Sequence, residues 1–148
     1  MSTLDVTADA QVSAPLDVVW RYVAEGYFEH HGLWDPAIRR MRKLTDGPLR
    51  AGTRGVETRR SLGDQDAEFE ITGYEIGKRV ALRNTTGPFV LERAYSFVET
   101  ATTTTVRFDF HMAPKGVMRL IFPLLRRTIE RQVRANVARI SCLVASTQ

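Results

Sequence analysis

The sequence predicts an α+β fold in which a curled antiparallel sheet of about seven strands surrounds one long C-terminal helix. Three observations support this prediction. Short segments of alternating polar and apolar residues follow one another between residues 38 and 112, separated by turns of hairpin length. Two short helical segments come directly after the first strand. From residue 117 onward, apolar residues recur at helical spacing, and only the sheet is large enough to cover them.

The first quarter of the chain predicts one strand and two short helices. Residues 4–13 alternate apolar and polar side chains, as a half-buried strand does. Pro15 suits the first turn of a helix, because its missing N–H costs no hydrogen bond there, and Gly26 ends that helix. Residues 27–36 form a second short helix or turn, which we expect to be a mobile lid. Trp34 is expected to anchor this lid and to border the space beneath it.

The middle of the chain predicts a meander of six further strands. Their boundaries are residues 38–44, 53–60, 67–76, 79–85, 89–99 and 103–112, with turns at 46–48, 62–64, 77–78, 87–88 and 100–102. Connections this short join antiparallel neighbours. A long antiparallel sheet twists strongly, so we expect it to curl and to enclose a space between itself and the last helix.

The C-terminal stretch predicts a helix with one apolar face. Val117, Leu120, Ile121 and Leu124 follow the spacing that places side chains on one side of a helix. Pro123 lies inside the pattern and removes a backbone donor, so we expect a kink or local break there. The same apolar face continues along the helix at steps of three or four residues: Leu125, Ile129, Val133, Val137, Ile140 and Val144. Three arginines are expected on the solvated face: Arg127, Arg131 and Arg134.

Composition indicates one soluble domain covering residues 1–148. The net charge of +4 arises from the last helix and from one cluster, Arg39, Arg40, Arg42 and Lys43. We expect these to be solvated surface and expect no nucleic-acid partner, because aromatic residues do not alternate with the basic ones. A nucleic-acid or membrane-surface protein would instead show affinity that falls steeply with salt. Cys142, the only cysteine, is expected to be a small packing residue.

The cellular location and the partners follow from the same composition. No apolar run approaches the roughly 20 residues that span a bilayer, and the N-terminus lacks the features of a signal peptide. We therefore expect a cytoplasmic protein without a transmembrane segment. The sequence leaves a homodimer open.

Several short motifs together resemble a known superfamily. They are APLDVVW at residues 14–20, WDP at 34–36, DGP at 46–48 before Gly52, YSF at 95–97, and FPLL at 122–125 after Pro114 and Gly116. The chain resembles the START-like, Bet v 1-like superfamily, and within it the polyketide cyclase/dehydrase-like (SRPBCC) proteins. This resemblance implies a helix-grip fold and a single ligand-binding domain with an apolar cavity between sheet and helix.

Arg93 is the most informative polar residue of the expected cavity. It shares the parity of Leu91 and Tyr95, so alternation points it inward, where a charge needs a carboxylate partner, a ligand anion or a route to water. The alternatives are a strand-end bulge that turns Arg93 outward and a purely structural ion pair. Asn84 continues an inward face and could bond a ligand or the backbone. The remaining residues expected around the cavity are apolar: Phe69, Ile71, Val80, Leu82, Leu91, Tyr95, Phe97, Phe108, Phe110, Met118, Ile121, Phe122 and Leu125.

Two functions remain open from the sequence. The first is binding of a hydrophobic small molecule such as a lipid, polyketide or aromatic compound. The alternative is a cyclase/aromatase-type enzyme, in which Arg93 and a cavity-facing His30 or Tyr95 would assist the chemistry; no catalytic residue is assigned. We expect no cofactor and no metal site, because His30 and His31 are adjacent and point about 100° apart on a helix.

Overall fold

The structure, a computed structural model that describes residues 3–60 and 63–147, confirms the predicted α+β helix-grip architecture. One seven-stranded antiparallel sheet has the strand order β1-β7-β6-β5-β4-β3-β2. The elements are β1 (Leu4–Val12), α1 (Leu16–Trp20), a π-helical turn (Arg21–Glu25), α2 (Tyr27–Trp34), β2 (Ile38–Lys43), β3 (Arg54–Arg60), β4 (Asp64–Glu75), β5 (Arg79–Asn84), β6 (Phe89–Thr100), β7 (Thr103–Pro114) and α3 (Met118–Ala145). Leu62 of the turn predicted at residues 62–64 lies outside the described residues.

The two short helices follow β1 as predicted and close one side of the core. The π-helical turn continues α1 without a break, and Gly26 separates it from α2. Tyr27, His31 and Trp34 lie at i, i+4 and i+7 on α2 and are all buried. The inner side of α2 is therefore part of the core. Greater mobility of α2 relative to the sheet stays a prediction.

Strand alternation sets which side chains fill the interior. Register pairs Leu82 with Arg93 and Arg93 with Phe110, so these three side chains form one row across β5, β6 and β7. Gly55 on β3 pairs with Phe69, and a Cβ at this glycine would lie 2.5 Å from the Phe28 ring and 2.7 Å from the Phe69 ring. The missing side chain allows these two rings to stack above β3, with their centroids 5.7 Å apart.

Helix α3 is continuous through Pro123, so the predicted local break is wrong. Pro123 removes only the hydrogen bond to the Arg119 carbonyl. Arg119, Leu120 and Pro123 are exposed, so water can hydrate that carbonyl. Whether the axis bends there stays a prediction.

The single apolar face predicted for α3 is confirmed in its second half, where Val133, Val137, Ile140 and Val144 are buried, and is wrong at its start. Val117, Leu120 and Leu124 are 75%, 84% and 79% exposed, and Ile121 and Leu125 are exposed as well. At about 100° per residue, the stripe 117/120/121/124 lies roughly opposite the side that faces the sheet. Exposure of Arg127, Arg131 and Arg134 agrees with the prediction, whereas Cys142 is exposed and is not a packing residue. The residues of α3 that are buried are Phe122, Val133, Val137, Ile140 and Val144.

Candidate functional site

A buried ion pair joins the middle of the sheet to α2. Arg93 on β6 and Glu57 on β3 are 5% and 0% exposed, and Arg93 Nη1 lies 3.5 Å from Glu57 Oε2. Arg93 Nη2 donates to Asn84 Oδ1 on β5 over 2.9 Å, and Nη1 donates to the Tyr27 hydroxyl on α2 over 3.3 Å. We call these four residues, Tyr27, Glu57, Asn84 and Arg93, the core polar cluster. Three strands and one helix supply it.

A second pair of charges connects the core polar cluster to the surface. Arg59, two residues after Glu57 on β3, lies 3.4 Å from Glu57 Oε2 and 3.1 Å from Asp35 Oδ2. His31 Nε2 is 3.7 Å from the same Asp35 oxygen. Arg59 is the outermost member of this chain, with about a third of its side chain exposed. Two arginines and two carboxylates alternate, so the whole arrangement is formally neutral when His31 is neutral.

Burial and neighbouring charges act against each other in this cluster. Burial alone would raise the pKa of Glu57, but the Arg93 and Arg59 guanidinium groups outweigh it and hold that pKa below its usual value. For Arg93, burial disfavours the charge, yet Glu57 keeps its pKa above the ordinary value. Glu57 and Arg93 therefore remain an ion pair at neutral pH.

Burial keeps the titratable neutral groups in and beside the core polar cluster uncharged. Burial lowers the pKa of His31 from 6.5 to about 4, although Glu57 and Asp35 oppose this shift. Burial likewise raises the pKa of Tyr27 and of Tyr95, against the opposing effect of Arg93. At neutral pH the imidazole is thus uncharged and both phenols keep their protons.

Three polar atoms of this region have no hydrogen-bond partner among the described residues. They are Glu57 Oε1, Arg93 Nε and His31 Nδ1. A buried polar group without a partner costs about 1–3 kcal/mol, and more when it is charged. Among the described residues, the Glu57–Arg93 pair therefore keeps one unpaired acceptor, Glu57 Oε1, and one unpaired donor, Arg93 Nε, and His31 Nδ1 lies nearby.

Aromatic side chains enclose the cluster. The Tyr27 ring centroid lies 6.1 Å from that of Phe69 and 6.2 Å from that of Tyr95. Trp34 Nε1 donates to the Tyr95 hydroxyl over 3.4 Å, and the Arg93 guanidinium carbon lies 5.8 Å from the Phe69 ring centroid. Charges in these surroundings are poorly screened by water, so their mutual geometry matters more than at a surface.

The core between the sheet and the helices contains such side chains, and the largest fully buried ones include Trp34, Tyr27, Tyr95, Phe69 and Phe122. Two open grooves lie on other surfaces. One of about 420 Å³ is on the outer face of the sheet, near Thr7, Arg83 and Asp109, and one of about 490 Å³ is beside the start of α1, near Leu16 and Ile76. Neither groove is the apolar cavity expected between sheet and α3.

Comparison with known proteins connects this architecture to one family. The family described as polyketide cyclase/dehydrase and lipid transport matches residues 3–145. The chain belongs to this family. Its fold is also that of Bet v 1-like proteins, so the resemblance stated from the sequence is confirmed. No curated protein is significantly similar to the chain in sequence.

Solved structures of low identity share the fold of this polyketide cyclase/dehydrase and lipid transport family member. TTHA0849 from Thermus thermophilus has a TM-score of 0.77 and 15% identity, covering 97% of this chain and 99% of its own. Ara h 8.0201 has a TM-score of 0.68 and 11% identity, with 98% and 99% covered. Norcoclaurine synthase from Thalictrum flavum, in complex with dopamine and hydroxybenzaldehyde, has a TM-score of 0.69 and 15% identity, with 99% and 89% covered.

The structure brings together only part of the predicted site. Trp34, Phe69, Asn84, Arg93 and Tyr95 surround or belong to the core polar cluster, and Phe108 packs on Tyr95 with ring centroids 4.6 Å apart. Phe97 is inward but packs on Trp20, at another end of the core. Ile121 is exposed and does not face the cluster, whereas Met118 is half-buried and lies four residues before the buried Phe122, on the same side of α3. The other predicted residues are buried in the core: Ile71, Val80, Leu82, Leu91, Phe110 and Phe122.

The histidines differ from their expected placement. His30 stacks on Tyr22 with centroids 4.0 Å apart, and its Nδ1 lies 2.8 Å from the Tyr22 carbonyl oxygen, so it does not face Arg93. His31 is the histidine that approaches the cluster. His111 pairs with Asp5 on the outer face of the sheet over 2.7 Å.

Glu57 is the main residue that sequence reasoning missed. On β3 the apolar parity belongs to Val56, which suggests that Glu57 points outward, but residues 55–58 are all buried. Arg93 could have indicated a residue such as Glu57, because an inward arginine needs a partner such as a carboxylate. Because Gly55 and Glu57 share a parity and Gly55 has no side chain, alternation on β3 could not show which face was inside.

Proposed function

We propose that the protein binds a hydrophobic small molecule between the sheet and α3, and that the core polar cluster holds the ligand's polar end. The observation that carries this proposal is the Arg93–Glu57 pair, buried among aromatic rings yet keeping an unpaired donor and an unpaired acceptor. Pockets for small molecules combine an apolar lining with a few placed polar groups. Membership of the family supports ligand binding, as does the complex of norcoclaurine synthase, which shares the fold, with dopamine and hydroxybenzaldehyde.

The charges of the cluster favour a neutral polar group over an acid. Glu57 already balances Arg93, and Asp35 balances Arg59, so a carboxylate would add an uncompensated charge. Arg93 Nε requires an acceptor, and Glu57 Oε1 requires a donor. A hydroxyl group offers both functions. The preferred ligand is therefore an apolar molecule that ends in an alcohol or phenol.

We expect ligand entry to require a movement, because large side chains such as Trp34, Tyr95 and Phe122 are fully buried. The first three turns of α3 are held to the core mainly by Phe122, whose ring centroid is 5.8 Å from that of Phe89 on β6. Residues around Phe122 are exposed and contribute little to this attachment. Displacement of this part of α3 would open a path along β6 toward Arg93.

The cyclase/aromatase alternative depends on His31, the neutral histidine beside the ion pair. A general base works best when its pKa is close to the working pH. The pKa of His31 is lowered to about 4 and that of Tyr95 is raised, so the first is a weak base and the second a weak acid. These shifts favour binding over acid–base catalysis as the primary role.

Three matched probes test the proposal: 2-naphthol, 2-methylnaphthalene and 2-naphthoate, with affinities measured by tryptophan fluorescence. The affinity ratio of naphthol to methylnaphthalene should fall about tenfold in Glu57→Gln, since one charge-assisted hydrogen bond is worth about 1.5 kcal/mol. Glu92→Gln, on the outer side of β6, is the control and should leave the ratio unchanged. An unchanged ratio in Glu57→Gln, or tighter binding of naphthoate than of naphthol, would contradict the proposed recognition.

A further inference from the structure

The first three turns of α3 carry an apolar stripe that faces away from the protein. It consists of Val117, Leu120, Ile121 and Leu124, which we call the outer stripe. These side chains are 75%, 84%, 44% and 79% exposed. We propose that the outer stripe docks the protein onto an anionic lipid membrane surface. This role is separate from ligand binding in the core and does not depend on it.

The outer stripe is held outward by the core contacts on the opposite side of α3. Phe122 is fully buried against Phe89, and Val133 and Val137 continue the buried side toward the C-terminus. Because α3 is continuous from Met118 to Ala145, these contacts fix the rotation of its first turns. An ordered helix thus presents four neighbouring large apolar side chains to solvent. Contiguous exposed apolar surface of this kind marks an interaction site, whereas single exposed apolar residues do not.

Positive charge borders the outer stripe. Arg131 lies on nearly the same side of α3 as Leu120 and Leu124, and Arg127 lies beside them. Neither arginine forms an ion pair with a carboxylate in residues 3–60 and 63–147. Between residues 113 and 129 the sequence has no acidic residue, and Glu130 is already paired with Arg134 over 3.2 Å. Lys115, Arg119 and Arg126 raise the positive charge of the same segment, but Arg119 and Arg126 lie on the other side of α3 from the outer stripe.

This combination fits an anionic membrane. An amphipathic helix that lies in a lipid interface buries large apolar residues and keeps its basic residues at the headgroups. Arginine side chains can reach outward past the apolar surface to do so. No helix in the described part of the chain combines the length and apolarity required to cross a bilayer.

A second copy of the chain fits the outer stripe less well. A symmetric dimer through this surface would bring Arg127 and Arg131 of both protomers together without a carboxylate to compensate them. Stable protein interfaces bury about 1,200–2,000 Å² in total. Four side chains on three helical turns provide only part of such an area.

Flotation with lipid vesicles tests the proposal. The wild-type protein should bind vesicles of phosphatidylcholine mixed with phosphatidylserine, bind pure phosphatidylcholine much less, and dissociate as NaCl is raised. Leu120→Ser with Leu124→Ser should lower binding at least tenfold. Arg127→Gln with Arg131→Gln should lower it by a similar factor, because each basic residue near an anionic surface contributes about fivefold.

Matched controls distinguish vesicle binding through the outer stripe from nonspecific binding through exposed apolar or basic residues elsewhere. Ile76→Ser with Val98→Ser removes two exposed apolar residues elsewhere, and Arg40→Gln with Arg42→Gln removes two charges from β2. Both double variants should bind anionic vesicles like the wild type. All exchanged residues are exposed, and circular dichroism should show an unchanged fold.

Three results would overturn the proposal. The first is equal vesicle binding by the wild type and the Leu120→Ser/Leu124→Ser variant, and the second is no binding of anionic vesicles at all. The third is a dimer in sedimentation equilibrium that this variant dissociates, which would assign the outer stripe to a second copy of the chain.

Discussion

Replacement of His31 by Phe should remove much of the sensitivity of the fold to mild acid. The His31 ring is 2% exposed and stacks on Tyr27 with centroids 4.6 Å apart. The charged and titratable groups that face it are Glu57, Asp35, Arg93, Arg59 and Tyr27. Phenylalanine keeps the stacking and cannot be protonated, and His31 Nδ1 has no hydrogen bond to lose.

The size of the effect follows from the pKa shift. Burial lowers the pKa of His31 from 6.5 in the unfolded chain to about 4 in the folded protein. The unfolded state therefore binds the proton more tightly, and the free energy of unfolding falls as pH falls through this window. The neutral imidazole's contribution is fully present above pH 6.5 and is lost by about pH 4. A shift of this size corresponds to about 3 kcal/mol.

Urea denaturation across this pH range, followed by tryptophan fluorescence, measures the effect. The wild type should lose about 3 kcal/mol more than His31→Phe between the two pH values. Carboxylates such as Glu57 titrate in both proteins, and their contribution largely cancels in the comparison. His111→Gln, an exchange at a partly exposed histidine on the outer face of the sheet, is the control for the loss of a histidine. Parallel stability curves for the wild type and His31→Phe would refute the reasoning.

Three further predictions concern stability, each measured as the free energy of unfolding in urea. Arg93→Met should lower the free energy of unfolding by about 3–5 kcal/mol, because it leaves the Glu57 charge buried beside Arg59 alone. Adding Glu57→Gln should recover part of this loss. An effect as small as that of the exposed control Arg83→Met would contradict the prediction. Phe122→Ala should lower the free energy of unfolding by about 3–5 kcal/mol, because Phe122 is buried. Leu124→Ala should lower it by less than about 0.5 kcal/mol, because Leu124 is exposed. Similar losses in the two variants would argue against the observed rotation of α3. Gly55→Ala should cost about 1–3 kcal/mol, because the new methyl group meets the Phe28 and Phe69 rings, and an unchanged midpoint would show that these rings move freely.

The sequence was sufficient for the fold because its main signals are local. Alternation identified the strands, and short turns between them required antiparallel neighbours. The inward position of Arg93 followed from the parity of Leu91 and Tyr95, and the structure confirms it. The partner of Arg93 did not follow, because Glu57 is brought to it by pairing of β3, β4, β5 and β6 across the sheet. Such long-range register is not a local property of the chain.

The rotation of α3 shows a second limit of periodicity. Val117, Leu120, Ile121 and Leu124 have helical spacing, and so do Phe122, Ile129, Val133 and Val137. Spacing shows that residues share a side of a helix but does not show what covers that side. In α3 the two apolar stripes overlap in sequence, so periodicity alone predicts one face where the protein has two. Packing in the fold, such as that of Phe122 on Phe89, distinguishes the covered stripe from the exposed one.

The energetics of the Arg93–Glu57 pair favour a role beyond holding the fold together. Removing two charges from water costs several kcal/mol for each ion, and buried pairs can often be replaced by apolar residues without loss of stability. Here the compensation is incomplete, because Glu57 Oε1 and Arg93 Nε have no partner in the part of the chain that the structure describes. A pair that served only stability would gain from satisfying these atoms. A ligand hydroxyl that bonds to them would recover this energy on binding, so the same unpaired atoms that weaken the free protein would strengthen the complex.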